Sequence, residues 1–181
     1  NNEAERGYGD VDWFDYRYNE KPIDAFSKIE AESFTNQSGN IEIQPCYDTG
    51  NGQNLVISNN DSYASYGIVD FKSGAELIAV RVAGTSTGII EVRIDGPYGK
   101  LLGSISVPNT GGEQVWQTIT ADIERVTGVH ELYLIYKTDG KLHVNWFDFS
   151  ETVNTVKPNP ILQYLFDGDT KDSTQNKNHG I

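Results

Sequence analysis

The residues best suited to chemistry lie in one stretch near the end of the chain, Lys141 to Phe149. Apolar and polar side chains alternate there with the two-residue period of a β-strand. Two polar residues, Asn145 and Asp148, interrupt the apolar run, and a buried polar group without a partner costs about 1–3 kcal/mol. Two interpretations are open: each side chain bonds to neighbouring backbone, or Asp148 holds a metal ion and Asn145 faces a ligand.

Apolar residues occupy both parities of this stretch, which predicts a strand covered on both faces rather than an exposed edge. One parity carries Leu142, Val144 and Trp146, and the other carries Asn145, Phe147 and Phe149.

A second pair of candidate ligands is Glu30 and Glu32, in the alternating segment 29–34. The alternation predicts a strand with both carboxylates on one face, where their charges repel. Either both side chains are solvated at an edge, or they share a cation. Calcium takes about 6–8 oxygen ligands from carboxylates and backbone carbonyls. If the first and last strands are antiparallel neighbours, Asp148 joins the two glutamates.

No catalytic motif stands out from the background. The sequence has no His-Glu-x-x-His and no phosphate-binding loop, and its Gly-x-Ser-x-Gly at 84–88 falls in a predicted turn between two strands, not in the strand-to-helix turn of a hydrolase. Acidic residues are so frequent that a pair at the spacing of a glycosidase is expected by chance. Of the histidines, His130 is predicted at the surface and His143 at a rim or in packing. We therefore predict that this chain by itself is not an enzyme.

Binding has better support, because aromatic rings on a rigid sheet offer platforms for the apolar faces of sugar rings. Trp116 is the leading candidate, since the loop 108–114 leads directly into its predicted strand and so places a large ring at the end of a sheet. Most other aromatic residues are expected in the core.

The composition of the chain limits the classes of molecule that it is expected to bind. The 181-residue chain carries a net charge of −12 and a pI near 4.5, which opposes binding to nucleic acid or anionic membranes. The single cysteine, Cys46, excludes a disulfide within the chain. No apolar run approaches the roughly 20 residues of a membrane span.

Short alternating segments separated by turns indicate an all-β protein, a β-sandwich of nine or ten strands. The predicted strands after the first are 41–44, 55–58, 62–71, 76–82, 89–94, 100–107, 114–122, 130–137 and 141–149.

The flanks predict a multimodular protein. Residues 1–20 contain Asp10 to Tyr16, which repeats the pattern of His143 to Phe149, and they are predicted as the last strand of a preceding β-sandwich module. Residues 21–27 and 151–160 are predicted linkers around a main module at 28–150. Residues 161–181 are predicted as the truncated start of another module, too short to form its own core.

The main module resembles the family 6 carbohydrate-binding modules. The resemblance rests on the segments 29–34, 52–54, 61–63, 101–112 and 144–149, together with Trp116. It implies a β-sandwich jelly roll with a structural calcium, bound here by Glu30, Glu32, Asp148 and backbone carbonyls. It also implies polysaccharide binding, xylan-type or β-glucan, attached to a secreted, extracellular glycoside hydrolase.

The resemblance implies two sugar sites. At the loop end, Trp116 and Asn145 match the pattern and Gln44 occupies the place of a polar contact. Ile57 stands where a second aromatic ring is expected, and Tyr47 is a candidate replacement. By analogy with base stacking, one lost platform costs about 1–3 kcal/mol.

The second implied site lies on a concave sheet face, and Tyr63, Ser65 and Glu91 resemble its lining.

The flanks resemble the accessory β-sandwich of family 43 glycoside hydrolases (residues 1–20) and a laminin-G-like module (residues 161–181). Two alternatives to glycan binding therefore remain: a structural spacer that contacts only neighbouring modules, and an accessory part of a family 43 catalytic unit.

Overall fold

The computed structural model describes residues 21–152, and they form two six-stranded sheets. Within this range the regular elements are strands, apart from one 3-10 helix at Ala31–Ser33. The strands are β1 (Ile23–Asp24), β2 (Ile29–Glu30), β3 (Asn36–Ser38), β4 (Ile41–Pro45), β5 (Gln53–Ile57), β6 (Ser62–Asp70), β7 (Ala75–Gly84), β8 (Gly88–Ile94), β9 (Lys100–Val107), β10 (Gly112–Val126), β11 (Val129–Thr138) and β12 (Leu142–Ser150).

The first sheet has the order β1-β6-β11-β8-β9, with β3 paired to β6. The second has the order β10-β7-β12-β5-β4, with β2 paired to β12. Every pairing is antiparallel except that of β1 with β6. The predicted all-β sandwich is confirmed, and each predicted strand after the first overlaps an observed one.

The core lies between the sheets and contains the apolar members of the alternating strands. Its aromatic rings meet edge to face: Tyr66 and Phe147 at 4.7 Å between centroids, and Phe71 and Phe149 at 5.1 Å. The hydroxyl of Tyr66 donates to the backbone oxygen of Ala31 at 3.0 Å, which ties the 3-10 helix to the core.

A β-bulge at Asn145 organises β12. Val144 pairs with Val82 and Trp146 with Arg81, so that Asn145 has no residue of β7 opposite it. The prediction that β12 is covered on both faces is confirmed, because most of its residues are buried. The two-residue alternation does not hold along the whole strand. Val144 and Phe147 have opposite parities in the sequence, yet both lie in the core, because the bulge at Asn145 lies between them.

The first predicted strand is shorter than expected. β2 ends at Glu30, and Glu32 lies in the 3-10 helix, so the two carboxylates do not share a strand face. β2 pairs antiparallel with β12 through Glu30 and Trp146, which meets the condition under which Asp148 was considered together with the two glutamates.

The segment 21–27, predicted as a linker, contains β1 and the buried residue Ala25. The backbone N–H of Phe149 donates to the oxygen of Ala25 at 3.0 Å, so this segment belongs to the sandwich. The modules predicted at 1–20 and 161–181, and nearly all of the second linker, lie outside the described residues. No helix in the described range is long and apolar enough to cross a membrane.

Candidate functional site

Trp116 stands on an irregular stretch of β10. Gly112 lies opposite Gly84 and Gln117 opposite Val82, so residues 113–116 are accommodated beside the single residue Ala83 of β7. This bulged stretch breaks the sheet alternation and leaves the indole half-buried, which fits the predicted platform at the end of the sheet.

Gln114 fixes the indole. Its side-chain oxygen accepts the Trp116 Nε1–H at 3.1 Å and the backbone N–H of Tyr47 at 3.0 Å. Tyr47 lies in the loop between β4 and β5, and it is 75% exposed. One amide therefore connects the Trp116 platform to the loop that carries the nearest candidate for a second ring.

The same loop is held by an ion pair. Arg81 Nε and Nη2 donate to the two carboxylate oxygens of Asp48, both at 2.8 Å, and Asn145 Nδ2 donates to Asp48 Oδ2 at 3.0 Å. The hydrogen bonds from Arg81 hold the pKa of Asp48 at about 2. The amide nitrogen of Asn145, a residue that is only 4% exposed, is thus engaged within the protein.

His143 lies next to Trp116, and the two rings meet edge to face at 6.4 Å and 85°. The sequence predicted a rim or packing residue, and the side chain is buried. Burial holds the pKa of this imidazole below its usual value.

The two remaining positions considered for this site, Gln44 and Ile57, differ in their exposure. Gln44 is half-buried, and its amide donates to Glu42 at 3.3 Å. Ile57 is fully buried in the core, so it does not present a side chain to a ligand.

On the opposite sheet, a depression of about 260 Å³ lies over β6, β8 and β11. Its lining includes Tyr63, Glu91, Lys137 and Tyr98. Lys137 Nζ donates to Glu91 at 2.6 Å, and this bond is the main reason why the pKa of Glu91 is lowered. Ser65 is only 1% exposed and is absent from the lining, so of the three predicted residues the structure brings Tyr63 and Glu91 together here.

Two of the predicted metal ligands, Glu32 and Asp148, have carboxyl groups whose pKa is raised. Burial raises the pKa of the Glu32 carboxyl, and the charge of Glu30 raises it further. Its Oε2 is buried and has no hydrogen-bond partner among residues 21–152. Burial also raises the pKa of Asp148.

These carboxylates do not form a complete cage. Glu30 is paired with Lys28. Across the described range, no three His, Cys, Asp or Glu side chains cluster closely enough to hold a metal ion. A bound calcium would therefore depend on backbone carbonyls in addition to Glu32 and Asp148.

Sequence reasoning missed the residues that hold the site together, namely Gln114, Asp48 and Arg81. Opposite charges at Asp48 and Arg81 offered a weak signal, but nothing in the sequence showed that these two would pair. The role of Gln114 depends on a bulge that the sequence pattern does not reveal.

The chain is similar in sequence and in fold to known proteins of one family. The model of the family described as "Carbohydrate binding module (family 6)" matches residues 30–151. A curated relative, endo-1,4-beta-xylanase A of Thermoclostridium stercorarium, is 35% identical over 135 residues. That match covers 75% of this chain and 26% of the xylanase, so the chain spans about a quarter of that relative.

Two solved structures show the same fold. A module from Clostridium stercorarium in complex with cellobiose is 32% identical with a TM-score of 0.68, covering 73% of this chain and 98% of that one. A family 6 module from Clostridium cellulolyticum in complex with xylose is 40% identical with a TM-score of 0.67, covering 71% of this chain and 99% of that one.

Proposed function

The chain belongs to the family 6 carbohydrate-binding modules, which are non-catalytic, and we propose that its ligand is a plant polysaccharide of the xylan or β-glucan type. Relatives in complex with cellobiose and with xylose support this choice of glycan. The observation that carries the proposal is the half-buried Trp116 ring, held in place by Gln114.

The ring has the properties of a sugar platform. A flat aromatic face covers the apolar face of a pyranose, while polar groups around it bond the hydroxyls and set orientation. The side-chain oxygen of Asn145 and the amide of Gln44 are the polar groups that we assign to this role.

Tyr47 supplies the second ring in this proposal. Ile57 is buried in the core, whereas Tyr47 is exposed on a loop whose backbone is bonded to the amide that fixes Trp116. The shared anchor holds the loop backbone at Tyr47 beside Trp116, which reduces the cost of ordering this loop when a ligand binds, while the Tyr47 ring itself is exposed.

A second candidate site for the same function is the depression over β6, β8 and β11. Tyr63 packs edge to face on Tyr133 at 5.8 Å, and Tyr98 is 96% exposed at its border. The ion pair of Glu91 and Lys137 satisfies the polar groups there, so we rank this face second.

A structural calcium is the third part of the proposal. It would be held by Glu32 and Asp148 with Glu30 and backbone carbonyls, and it would neutralise carboxylates that burial and mutual repulsion disfavour as anions. The 3-10 helix that carries Glu32 packs against β5, which follows the loop of Tyr47, so the ion would lie near the base of that loop.

The whole protein is proposed to be a secreted glycoside hydrolase that this module holds on its substrate, as the xylanase relative suggests. The alternative of a spacer without a ligand makes the opposite prediction in every glycan-binding assay.

The test is calorimetric titration of wild type, W116A and Y98A with xylohexaose and cellohexaose in calcium. We expect wild type to bind at least one oligosaccharide and W116A to lose at least tenfold in affinity. Y98A removes an exposed ring of the other face and is expected to bind like wild type. Failure of wild type to bind either probe, or unchanged binding by a folded W116A, would contradict the proposal.

A further inference from the structure

Two buried polar side chains, Asn54 of β5 and His143 of β12, lie side by side, and His143 also meets the ring of Trp116. Asn54 Nδ2 donates to the backbone oxygen of Leu55 at 3.0 Å. Because a carbonyl oxygen can only accept, the atom that faces it must be the amide nitrogen. The same nitrogen lies 3.1 Å from His143 Nδ1.

This contact assigns the tautomer of the imidazole. His143 Nδ1 must accept the amide hydrogen, so the neutral ring carries its own proton on Nε2. His143 is 1% exposed, and its Nε2 has no hydrogen-bond partner among the residues that the structure describes. A buried donor without an acceptor is unfavourable, and such a group calls for a structural or functional reason.

A carboxylate faces this donor at a particular separation. Glu113 Oε2 lies 3.8 Å from His143 Nε2, beyond the range of a direct hydrogen bond. The Glu113 side chain is 46% exposed, so solvent and ligands reach it. It belongs to the bulged stretch that also presents Trp116.

A hydroxyl group complements this arrangement, because it accepts one hydrogen bond and donates another. Placed between the two residues, it would accept from His143 Nε2–H and donate to the Glu113 carboxylate. His143 Nε2 is itself buried, so this placement requires Glu113, the exposed member of the two, to move aside. A bond to the charged carboxylate is stronger than one between neutral groups.

We propose that His143 and Glu113 form a hydroxyl-recognition pair at the margin of the Trp116 platform and contribute to the choice of sugar. Asn54 is a positioning residue, because it holds the imidazole in the tautomer that donates outward. The inference rests on the proposed function, since it needs a sugar ring on Trp116.

The pair predicts a pH dependence of binding. The charged groups that face His143 are Glu113 from β10 and Lys141 from the turn before β12. Burial lowers the pKa of His143, Glu113 raises it and Lys141 lowers it. Protonation adds a hydrogen to Nδ1, which then opposes the Asn54 amide. Affinity should therefore fall as the pH drops through this lowered pKa.

The experiment is calorimetric titration of the full chain with xylohexaose and cellohexaose between pH 7.5 and 5. We expect E113A to weaken binding of the better probe about tenfold at pH 7.5 and E113Q, which keeps an acceptor, to recover most of it. The matched control is E124A, which removes an exposed glutamate of the same strand paired to Lys100. H143Q, checked for folding by its melting curve, should bind with a flatter pH profile than wild type.

The outcomes separate the two proposals. If wild type binds but E113A behaves like E124A and the pH profile of wild type is flat, the recognition pair is wrong and the Trp116 platform stands. If H143Q does not fold, the comparison of E113A, E113Q and E124A decides. If wild type binds neither probe, the proposed function fails, and the recognition pair fails with it.

Discussion

The two outer faces of the sandwich differ in how completely their polar groups are hydrogen-bonded. On the first sheet, the carboxylate beneath the depression is satisfied, because Lys137 and Arg93 both bond to Glu91 at 2.6 and 3.0 Å. On the second sheet, buried polar atoms of Asn54 and His143 have no partner within residues 21–152. A ligand can add hydrogen bonds to these buried atoms on the second sheet, although Glu113 there is also paired with Lys141 at 3.4 Å; in the depression of the first sheet it must compete with the closer ion pair of Glu91 and Lys137.

The supports of the two faces also differ. Trp116 and the loop of Tyr47 are tied by Gln114, and the same loop is tied to the sheet by Asp48 and Arg81. Tyr98 lies in the turn between β8 and β9, and it is almost completely exposed. Preorganised groups lose less entropy on binding, so the second sheet should bind more tightly.

The largest expected effect is that of removing calcium. The proposed ion lies near the Trp116 face, so its removal should affect that face and not the other. A ligand that binds only the folded state stabilises it by about 2.7 kcal/mol at 100 times its Kd. We expect a chelator to lower the melting temperature of wild type and to weaken glycan binding at Trp116. A contact made through Tyr63 should not change.

The control for calcium is E32Q, which removes a proposed ligand. Its melting temperature should be the same with calcium and with chelator. If wild type also melts at one temperature under both conditions, the protein does not bind calcium and the proposed link to the Tyr47 loop is wrong.

The next effect tests the ion pair beneath the second face. D48N removes the charge that Arg81 binds, and we expect a loss of about 1–3 kcal/mol in the free energy of unfolding measured in urea. The figure is below that of a fully buried pair because Arg81 is partly exposed. The matched variant on the first face is E91Q, for which we expect a smaller loss.

The pH dependence of the free energy of unfolding tests the same ion pair of Asp48 and Arg81. The pKa of Asp48 is about 2 in the folded protein, below its usual value of 3.8. The unfolded chain therefore takes up the proton first. The contribution is complete above about pH 4 and is lost as the pH falls toward 2. D48N should not show this loss, and an unchanged acid limb in D48N would exclude Asp48 as its source.

The sequence predicted most of the scaffold, because alternation reports which side chains face a core. It also placed Trp116 on a strand, which β10 confirms, whereas the pairing of the first strand with the last was only a condition for the shared metal site. It did not predict the bulges at Asn145 and at residues 113–116, since a bulge changes pairing without changing composition. The contacts of Gln114 and the burial of His143 follow from those bulges, and so they were missed.

The last comparison, in which no effect on stability is expected, separates Tyr47 from Tyr98, two tyrosines exposed on loops of opposite faces. Y47A should weaken glycan binding by a factor of about 5–150, the range expected for one stacking contact of about 1–3 kcal/mol. Y98A should have almost no effect. Because both side chains are exposed, neither change should alter the melting temperature, so a difference in calorimetric affinity reports on contact with the sugar. If Y98A costs as much as Y47A, both faces bind, and the order proposed for them is wrong.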